Sequence, residues 1–343
     1  MTRAGLRAIG WRALATAALL SLAPGLCAQT APPAIRKIEI AAQPFDSFEP
    51  REPSRRVFGS LEFRGGIELR SQSRDFGGLS AIRVLSDGAA FIAVTDKAQW
   101  LRGRILYRGS APVGIADAEM APMLGGNGRP ITERGWYDSE ALAAGDDGTL
   151  YVAFERVHQI LRFNAARDRL AARGQAIALP QALASLPRNR GIECLAVGPK
   201  ATPLAGALIA VSEAGLDAEK NIRGFLIGGR APGEFSVVRK DDFDITDCAL
   251  TPANELLLLE RFFSWRRGVS MRIRRVPLAG LAPGAVVDGP YLIEADMGFQ
   301  IDNMEGLSVH RAADGALVLT LVSDDNFSIL QRTLLLQFTL LEK

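Results

Sequence analysis

The sequence predicts an all-β protein, a β-propeller in which five blade repeats are visible between Gly78 and Asp324. A hairpin pattern recurs five times, its spacing suits a four-stranded blade, and helix-length periodicity is weak. A β-sandwich with coincidental hairpins is the alternative architecture. The blade number, five or six, stays open because residues 36–77 could hold a degenerate blade.

Each repeat is an apolar strand, a turn and a second apolar strand. Four of the five turns carry Gly or Asn, which supply the positive φ of tight hairpins, and the third has a longer loop. Anchoring leucines recur every 53–63 residues, and four strands of about 5–6 residues with their loops fill such an interval. The repeats are Gly78–Asp96, Glu140–Glu155, Glu193–Glu213, Asp247–Glu260 and Glu305–Asp324, anchored by Leu79, Leu142, Leu195, Leu250 and Leu307.

Two segments outside the repeats predict how the ring closes. Leu61–Leu69 precedes the first repeat without a partner, and the chain ends in the apolar strand Leu334–Leu341. Pairing these N- and C-terminal strands in the last blade would close the ring and remove its exposed edges.

The N-terminus has the features of a secretory signal peptide. Three arginines precede a short apolar run, Ala13–Leu22, and small residues follow. A membrane anchor would need about 20 apolar residues, and a lipoprotein would need small residues before Cys27. We therefore expect a signal peptide over 1–28, an exposed leader over 29–56 and one propeller domain over 57–343, in a periplasmic or secreted monomer.

Composition excludes several partners. Of 40 basic and 38 acidic residues, three basic ones fall in the signal peptide, so the remainder is almost neutral. This gives no electrostatic attraction to nucleic acid or an anionic membrane, and no later stretch could span a membrane. Two histidines are too few for a His-rich zinc site. Cys194 and Cys248 are either buried thiols or a disulfide.

Acids recur at both ends of the predicted hairpins. The start of one strand and the end of the next lie at the same edge of an antiparallel hairpin. A ring of hairpins therefore predicts nine carboxylates around one mouth of the central channel. They are Glu140, Glu193, Asp247 and Glu305 at first-strand starts, and Asp96, Glu155, Glu213, Glu260 and Asp324 at second-strand ends.

Nine carboxylates on one rim repel each other unless their charge is offset. One possibility is ion pairing with nearby basic residues, namely Lys97, Arg134, Arg156, Arg190, Arg261 and Arg266. The other is Ca²⁺, which takes about 6–8 oxygen ligands. Both remain open at the level of sequence.

Three segment pairs resemble bacterial proteins described as having phytase-like esterase activity. The matching residues are Gly77–Ser80 with Val94–Asp96, Asp138–Leu142 with Ala153–Arg156, and Asn303–Leu307 with Ser323–Phe327. The resemblance covers roughly residues 60–340 and implies a propeller related in plan to alkaline phytases.

The resemblance also implies roles for particular residues. It suggests Glu140, Glu155, Arg156 and Glu193 as catalytic residues, and Asp96, Glu140, Glu193, Glu305 and Asp324 as metal ligands, with Ca²⁺ as the expected cofactor. Arg134, Arg190 and Arg261 would bind substrate. Asp247 departs from the pattern in its spacing to the anchoring leucine.

Three functions fit these features. A metal-assisted phosphoester hydrolase would act on a small phosphorylated or ester substrate. A non-catalytic exported propeller would instead capture a cationic or sugar ligand, or a partner, at the acidic mouth. A lactonase-type propeller is the third.

Overall fold

The apolar hairpins of the sequence form five sheets in a computed structural model that describes Met1 and residues 34–341. The expected signal peptide lies outside the described residues except for Met1, as do residues 29–33. Among the helices of the described part of the chain, none is long and apolar enough to cross a membrane.

Each sheet is one blade, and its strands follow one another from the centre of the ring outward. Blade 1 contains Leu79–Val84, Ala90–Thr95, Gln99–Arg108 and Ala111–Pro122, with Arg36–Lys37 at its outer edge. Blade 2 contains Ser139–Ala144, Thr149–Phe154, Gln159–Asn164, Arg173–Ala176 and Leu124–Gly125. Blade 3 contains Ile192–Val197, Ala207–Leu216, Ile222–Gly228, Gly233–Val237 and Val286–Val287.

The last two blades complete the ring. Blade 4 contains Asp244–Thr251, Glu255–Ser264, Gly268–Pro277 and Tyr291–Ala295. Blade 5 contains Asn303–Arg311, Leu317–Asp324, Thr333–Leu340, Leu61–Arg70 and Ala41–Phe45, and Val57–Phe58 pairs with its fourth strand. The short helices are Ile131–Arg134, Ala165–Asp168, Arg169–Ala171, Gln181–Ser185 and Leu278–Gly280.

The ring closes as predicted, because the N-terminal strand Leu61–Arg70 pairs antiparallel with the C-terminal strand Thr333–Leu340. Residues 36–77 do not form a sixth blade. Their strands join the outer parts of blades 1 and 5. Part of the expected leader is therefore structured, and Phe48 within it is fully buried.

Apolar packing between neighbouring blades forms the core. The five innermost strands contact each other in ring order, and the last contacts the first. One buried apolar cluster lies between each pair of neighbouring blades. Because successive strand residues face opposite sides of a sheet, Leu321 packs towards blade 4 and Val322 towards blade 1. Both faces of a blade are buried, which explains the nearly continuous apolar runs.

The turns predicted from Gly and Asn lie at one end of the ring. Gly88, Gly148, Asn254 and Gly315 all have positive φ, between 59° and 85°. A side chain with a Cβ is strained in this region, which is why Gly or Asn stands there. The opposite end of the inner hairpins, where their first strands begin, surrounds the mouth.

A disulfide joins Cys194 of blade 3 to Cys248 of blade 4, on adjacent inner strands. Of the two possibilities that the sequence left open, buried thiols or a disulfide, the structure has the disulfide. The bond spans 54 residues of chain and constrains the unfolded state accordingly.

We expect a variant lacking both cysteines, C194A/C248A, to lose about 3 kcal/mol of unfolding free energy. Urea denaturation of the oxidised protein and of the variant measures the difference. Adding reductant should destabilise the wild-type protein and leave the variant unchanged. Equal stability of the wild type with and without reductant would contradict this.

Candidate functional site

A β-bulge begins the inner strand of every blade. The register shifts at Ser80, Glu140, Glu193, Thr246 and Glu305, which are therefore equivalent positions. Bulges re-aim side chains at functional sites. Two residues beyond them lie Ile82, Leu142, Leu195, Cys248 and Leu307. The sequence alignment of the repeats was wrong at Leu79 and Leu250. The residues equivalent to the other three leucines are Ile82 and Cys248.

A second ring of equivalent residues lies at the ends of the second strands, each one position past the residue that pairs just before the bulge. Four are the carboxylates Asp96, Glu155, Glu213 and Asp324, as predicted from the sequence. In blade 4 the paired residue is Glu260, opposite Ile245, so the equivalent residue is Arg261. Blade 4 thus contributes a cation where the other blades contribute an acid.

Two of the nine predicted rim acids lie elsewhere. Glu260 is 1% exposed and forms ion pairs with Arg272 and Arg274 of the neighbouring strand. Asp247 is fully buried in the channel, where it binds Arg83. Each lies one residue away from the position in blade 4 that is equivalent to the mouth acids of the other blades. A shift of one residue turns a strand side chain to the other face.

The other seven acids gather at the mouth, and we call them the mouth carboxylates. Each either raises the pKa of another member through repulsion or has its own pKa raised by one. They are Asp96, Glu140, Glu155, Glu193, Glu213, Glu305 and Asp324. The five predicted metal ligands and the three predicted catalytic carboxylates are all among them.

Arginines neutralise one side of the mouth. Arg261 lies 3.3 Å from Glu213 and 3.5 Å from Glu305, and donates a hydrogen bond of 2.6 Å to Asn303. Arg190 lies 3.3 Å from Glu213 and 2.8 Å from Asp244. Two of the three predicted substrate-binding arginines are therefore in contact with the carboxylates.

The other predicted cations lie further out. Arg156 pairs with Asp138 at the entrance. Arg134 is exposed and stacks 4.9 Å from the Trp136 ring, so it is not brought into the arginine cluster.

On the opposite side of the mouth, Glu140 and Glu193 have no such compensation. No described residue donates a hydrogen bond to the carboxylate of Glu140 or Glu193 or forms an ion pair with it. Asp96 accepts a hydrogen bond of 2.8 Å from Ser80, and Glu155 accepts one of 3.1 Å from the Gly191 amide. Arg156 and Arg190 also offset part of the charge of Glu155.

Burial and mutual repulsion raise the pKa values of these carboxyls. Burial is the larger cause for Glu140 and Glu193, and both pKa values lie well above the usual range. Burial, then repulsion from Asp96, raises the pKa of Asp324 to about 8. Burial outweighs the attraction of Arg261 at Glu305 and raises its pKa to about 7.

Oxygen ligands converge at one point of the uncompensated side. Carboxylate oxygens of Asp138, Glu140 and Glu155 lie within 4.8 Å of one another. These all-oxygen ligands suit Ca²⁺, a hard cation that favours carboxylates, and the unpartnered Glu140 lacks the charge that a cation would supply. The residues therefore fit a metal. Asp138 was not among the predicted ligands, because it lies outside the repeated hairpin.

A buried ion pair fills the central channel beyond the mouth. Arg83 forms two hydrogen bonds with Asp247, of 2.8 and 2.9 Å. Its guanidinium also donates to the equivalent carbonyls of Leu195, Cys248 and Leu307 on three other blades. Sequence reasoning missed Arg83, which lies in an apolar strand with no repeat equivalent.

These findings agree with a comparison of the sequence to protein families. The model for the phytase-like family, described as having esterase-like activity of phytase, matches residues 74–327. The chain belongs to this family. The matched residues of this phytase-like propeller include all seven mouth carboxylates.

Solved structures similar to the phytase-like propeller are distant from it. An α-L-arabinofuranosidase from Podospora anserina, in complex with cellotriose, is 10% identical over 82% of this chain and 97% of its own, with a TM-score of 0.48. Virginiamycin B lyase from Staphylococcus aureus is 12% identical over 88% of this chain and 100% of its own, with a TM-score of 0.40. No curated protein matches the chain significantly.

Raised carboxyl pKa values make the metal-free protein less stable at alkaline pH. The folded chain binds protons more tightly than the unfolded chain, so the unfolding free energy falls as pH rises from about 4 through 7 to 8. The variant Glu193→Gln removes one of these charges and should raise the unfolding free energy at pH 8 by about 1–2 kcal/mol. Urea denaturation with a chelator, at pH 5 and pH 8, measures both effects.

The matched control is Glu234→Gln, on an outer strand of blade 3, which should change stability little at either pH. The same wild-type stability at pH 5 and pH 8 would contradict the repulsion described above.

Loss of Arg83 should leave Asp247 buried without its cation. We expect Arg83→Met to lower the unfolding free energy by about 3 kcal/mol. The double variant R83M/D247N should recover part of this loss, because the unpaired charge is gone. Urea denaturation of the three proteins at pH 7 tests the coupling, and a double variant no more stable than R83M would refute it.

Proposed function

We propose that this phytase-like propeller is an exported, metal-assisted phosphoester hydrolase with its active site at the mouth. The observation that carries the proposal is the pairing of two unlike regions, one of uncompensated carboxylates and one of arginines. A phosphoester hydrolase needs both, since it must hold a cation and also bind an anionic substrate.

The cation would be held by Asp138, Glu140 and Glu155, with Glu193 nearby. Bound Ca²⁺ would polarise a phosphate oxygen and acidify a water molecule. The predicted ligands Asp96 and Asp324 remain candidates for an adjoining site, as repulsion from Asp96 raises the pKa of Asp324. Glu305 is the less suitable ligand because Arg261 already offsets its charge.

The chain's own residues account for binding and proton transfer. Arg190 and Arg261 would donate hydrogen bonds to phosphate oxygens from the guanidinium N–H groups that their carboxylate partners leave free. Hydrolysis adds water across a P–O bond and releases an alcohol and a phosphate. Glu193, which has no hydrogen-bond donor among the described residues, would accept the proton of the attacking water.

The disulfide supports export. Disulfides such as Cys194–Cys248 persist in oxidising compartments and are rare where thiols are kept reduced. A periplasmic or secreted location, following cleavage of the signal peptide, remains part of the proposal.

A second candidate is a propeller that binds a ligand without turnover. The observation that favours it is the arginine cluster, where Arg190 and Arg261 already neutralise Glu213. Calorimetry would then show ligand binding, while Glu140→Gln and Glu193→Gln would have no turnover to remove.

We expect Ca²⁺-dependent hydrolysis of phosphate monoesters or diesters, lowered by about 10²–10⁴-fold in Glu193→Gln. A panel of p-nitrophenyl phosphate, bis-p-nitrophenyl phosphate and inositol hexakisphosphate measures it. Glu140→Gln should also remove the Ca²⁺-induced gain in thermal stability, about 2.7 kcal/mol at a hundredfold excess over Kd.

Glu234→Gln serves again as the control and should retain both activity and the Ca²⁺ response. Absence of turnover on every ester, together with an unchanged melting temperature in Ca²⁺, would reject the hydrolase. A Ca²⁺ response without turnover would favour the binding propeller.

A further inference from the structure

The most exposed large apolar side chains of residues 34–341 lie on the mouth side of blades 4 and 5. Trp265 is 95% exposed, Ile329 is 101% exposed and Leu330 is 87% exposed. Trp265 is at the tip of the hairpin that continues from Arg261, and the other two belong to the loop that follows Asp324. Both loops therefore leave the sheet directly from mouth residues.

The hairpin that carries Trp265 is an ordered extension of the sheet. Its strands stay paired past the mouth as far as Ser264, opposite Gly268. Phe262 packs against Phe243 at a ring distance of 5.6 Å. At about 3.3 Å per residue, Trp265 stands roughly 13 Å beyond Arg261.

Contacts between the loops join these side chains into one surface. Met297, 63% exposed, packs over Gly268 at the base of the hairpin tip. The next segment binds the second loop, since Arg332 donates a hydrogen bond of 2.9 Å to Gln300 and its amide donates one of 3.1 Å to Asp302. We call this surface the apolar rim, made of Phe263, Trp265, Met297, Ile329 and Leu330.

The shape and charge of the apolar rim indicate its partner. Its side chains are exposed on separate loops, whereas a small ligand would need a concave pocket. Trp is favoured where a bilayer meets water, because its ring is amphipathic. Arg266 and Arg267 are exposed beside Trp265, and no acidic described residue forms an ion pair with either. They complement the phosphates of lipid headgroups.

We propose that the apolar rim docks this propeller, mouth first, on a phospholipid bilayer. Side chains on loop tips would enter the interface while the arginines contact headgroups. Docking needs no membrane span. The near-neutral charge of the whole chain conceals this local basic pair, which explains why composition gave no reason to expect a membrane surface.

The emission of Trp265 provides the test. The oxidised protein, residues 29–343, is mixed with phosphatidylcholine vesicles, with or without phosphatidylglycerol. We expect co-sedimentation, a blue shift of emission and quenching by brominated lipid. Trp265→Ser should abolish the spectral change, and I329S/L330S should weaken sedimentation at least tenfold. Arg266→Gln and Arg267→Gln should each lower affinity for the anionic vesicles up to roughly fivefold.

Matched controls replace exposed apolar residues away from the mouth. Leu106→Ser and Val286→Ser, at positions 47% and 60% exposed, should leave vesicle binding unchanged. Absence of sedimentation with both vesicle types, or equal binding by I329S/L330S, would overturn the proposal. So would concentration-dependent dimers that I329S/L330S abolishes, because the rim would then join two copies. Hydrolysis of soluble esters is assayed separately, so failure of docking leaves the hydrolase proposal intact.

Discussion

Apolar packing between blades is the constraint on which the site depends. Seven carboxylates at one opening repel each other, and free chains would relieve that repulsion by moving apart. The inner strands cannot move, because each is packed between two apolar clusters. Hydrophobic burial therefore holds together groups that electrostatics would separate. Burial, with added repulsion from Asp96, raises the pKa values of Asp324 and Glu305.

The ring divides these charges unevenly. Arg261 occupies in blade 4 the position that carries an acid in every other blade, and Arg190 adds a second cation beside it. Arginines therefore offset the carboxylates on one side of the mouth, while on the other side no described cation forms an ion pair with Glu140 or Glu193. Such asymmetry would allow a cation and an anion to be bound a short distance apart, which a uniformly acidic rim could not do.

Much of the fold could be predicted from the sequence, and part of the site could not. Turn residues and apolar runs gave the five hairpins and the closing strand, because these depend on local chemistry. The bulges could not be seen, since an extra residue changes register without changing composition. Glu260 and Asp247 were placed at the mouth because each stands one residue from the equivalent positions of blade 4, which hold Arg261 and Thr246. Asp138 and Arg83 were missed because their roles depend on contacts between blades, which no repeat within the sequence displays.

The position of Arg83 affects how molecules could reach the mouth carboxylates. Its guanidinium binds backbone carbonyls across the channel and is held by a buried carboxylate, so it stands between the two ends of the channel. A substrate of the proposed hydrolase would then enter and leave by the mouth. Product and substrate would share this one opening, as in enzymes whose turnover depends on product release.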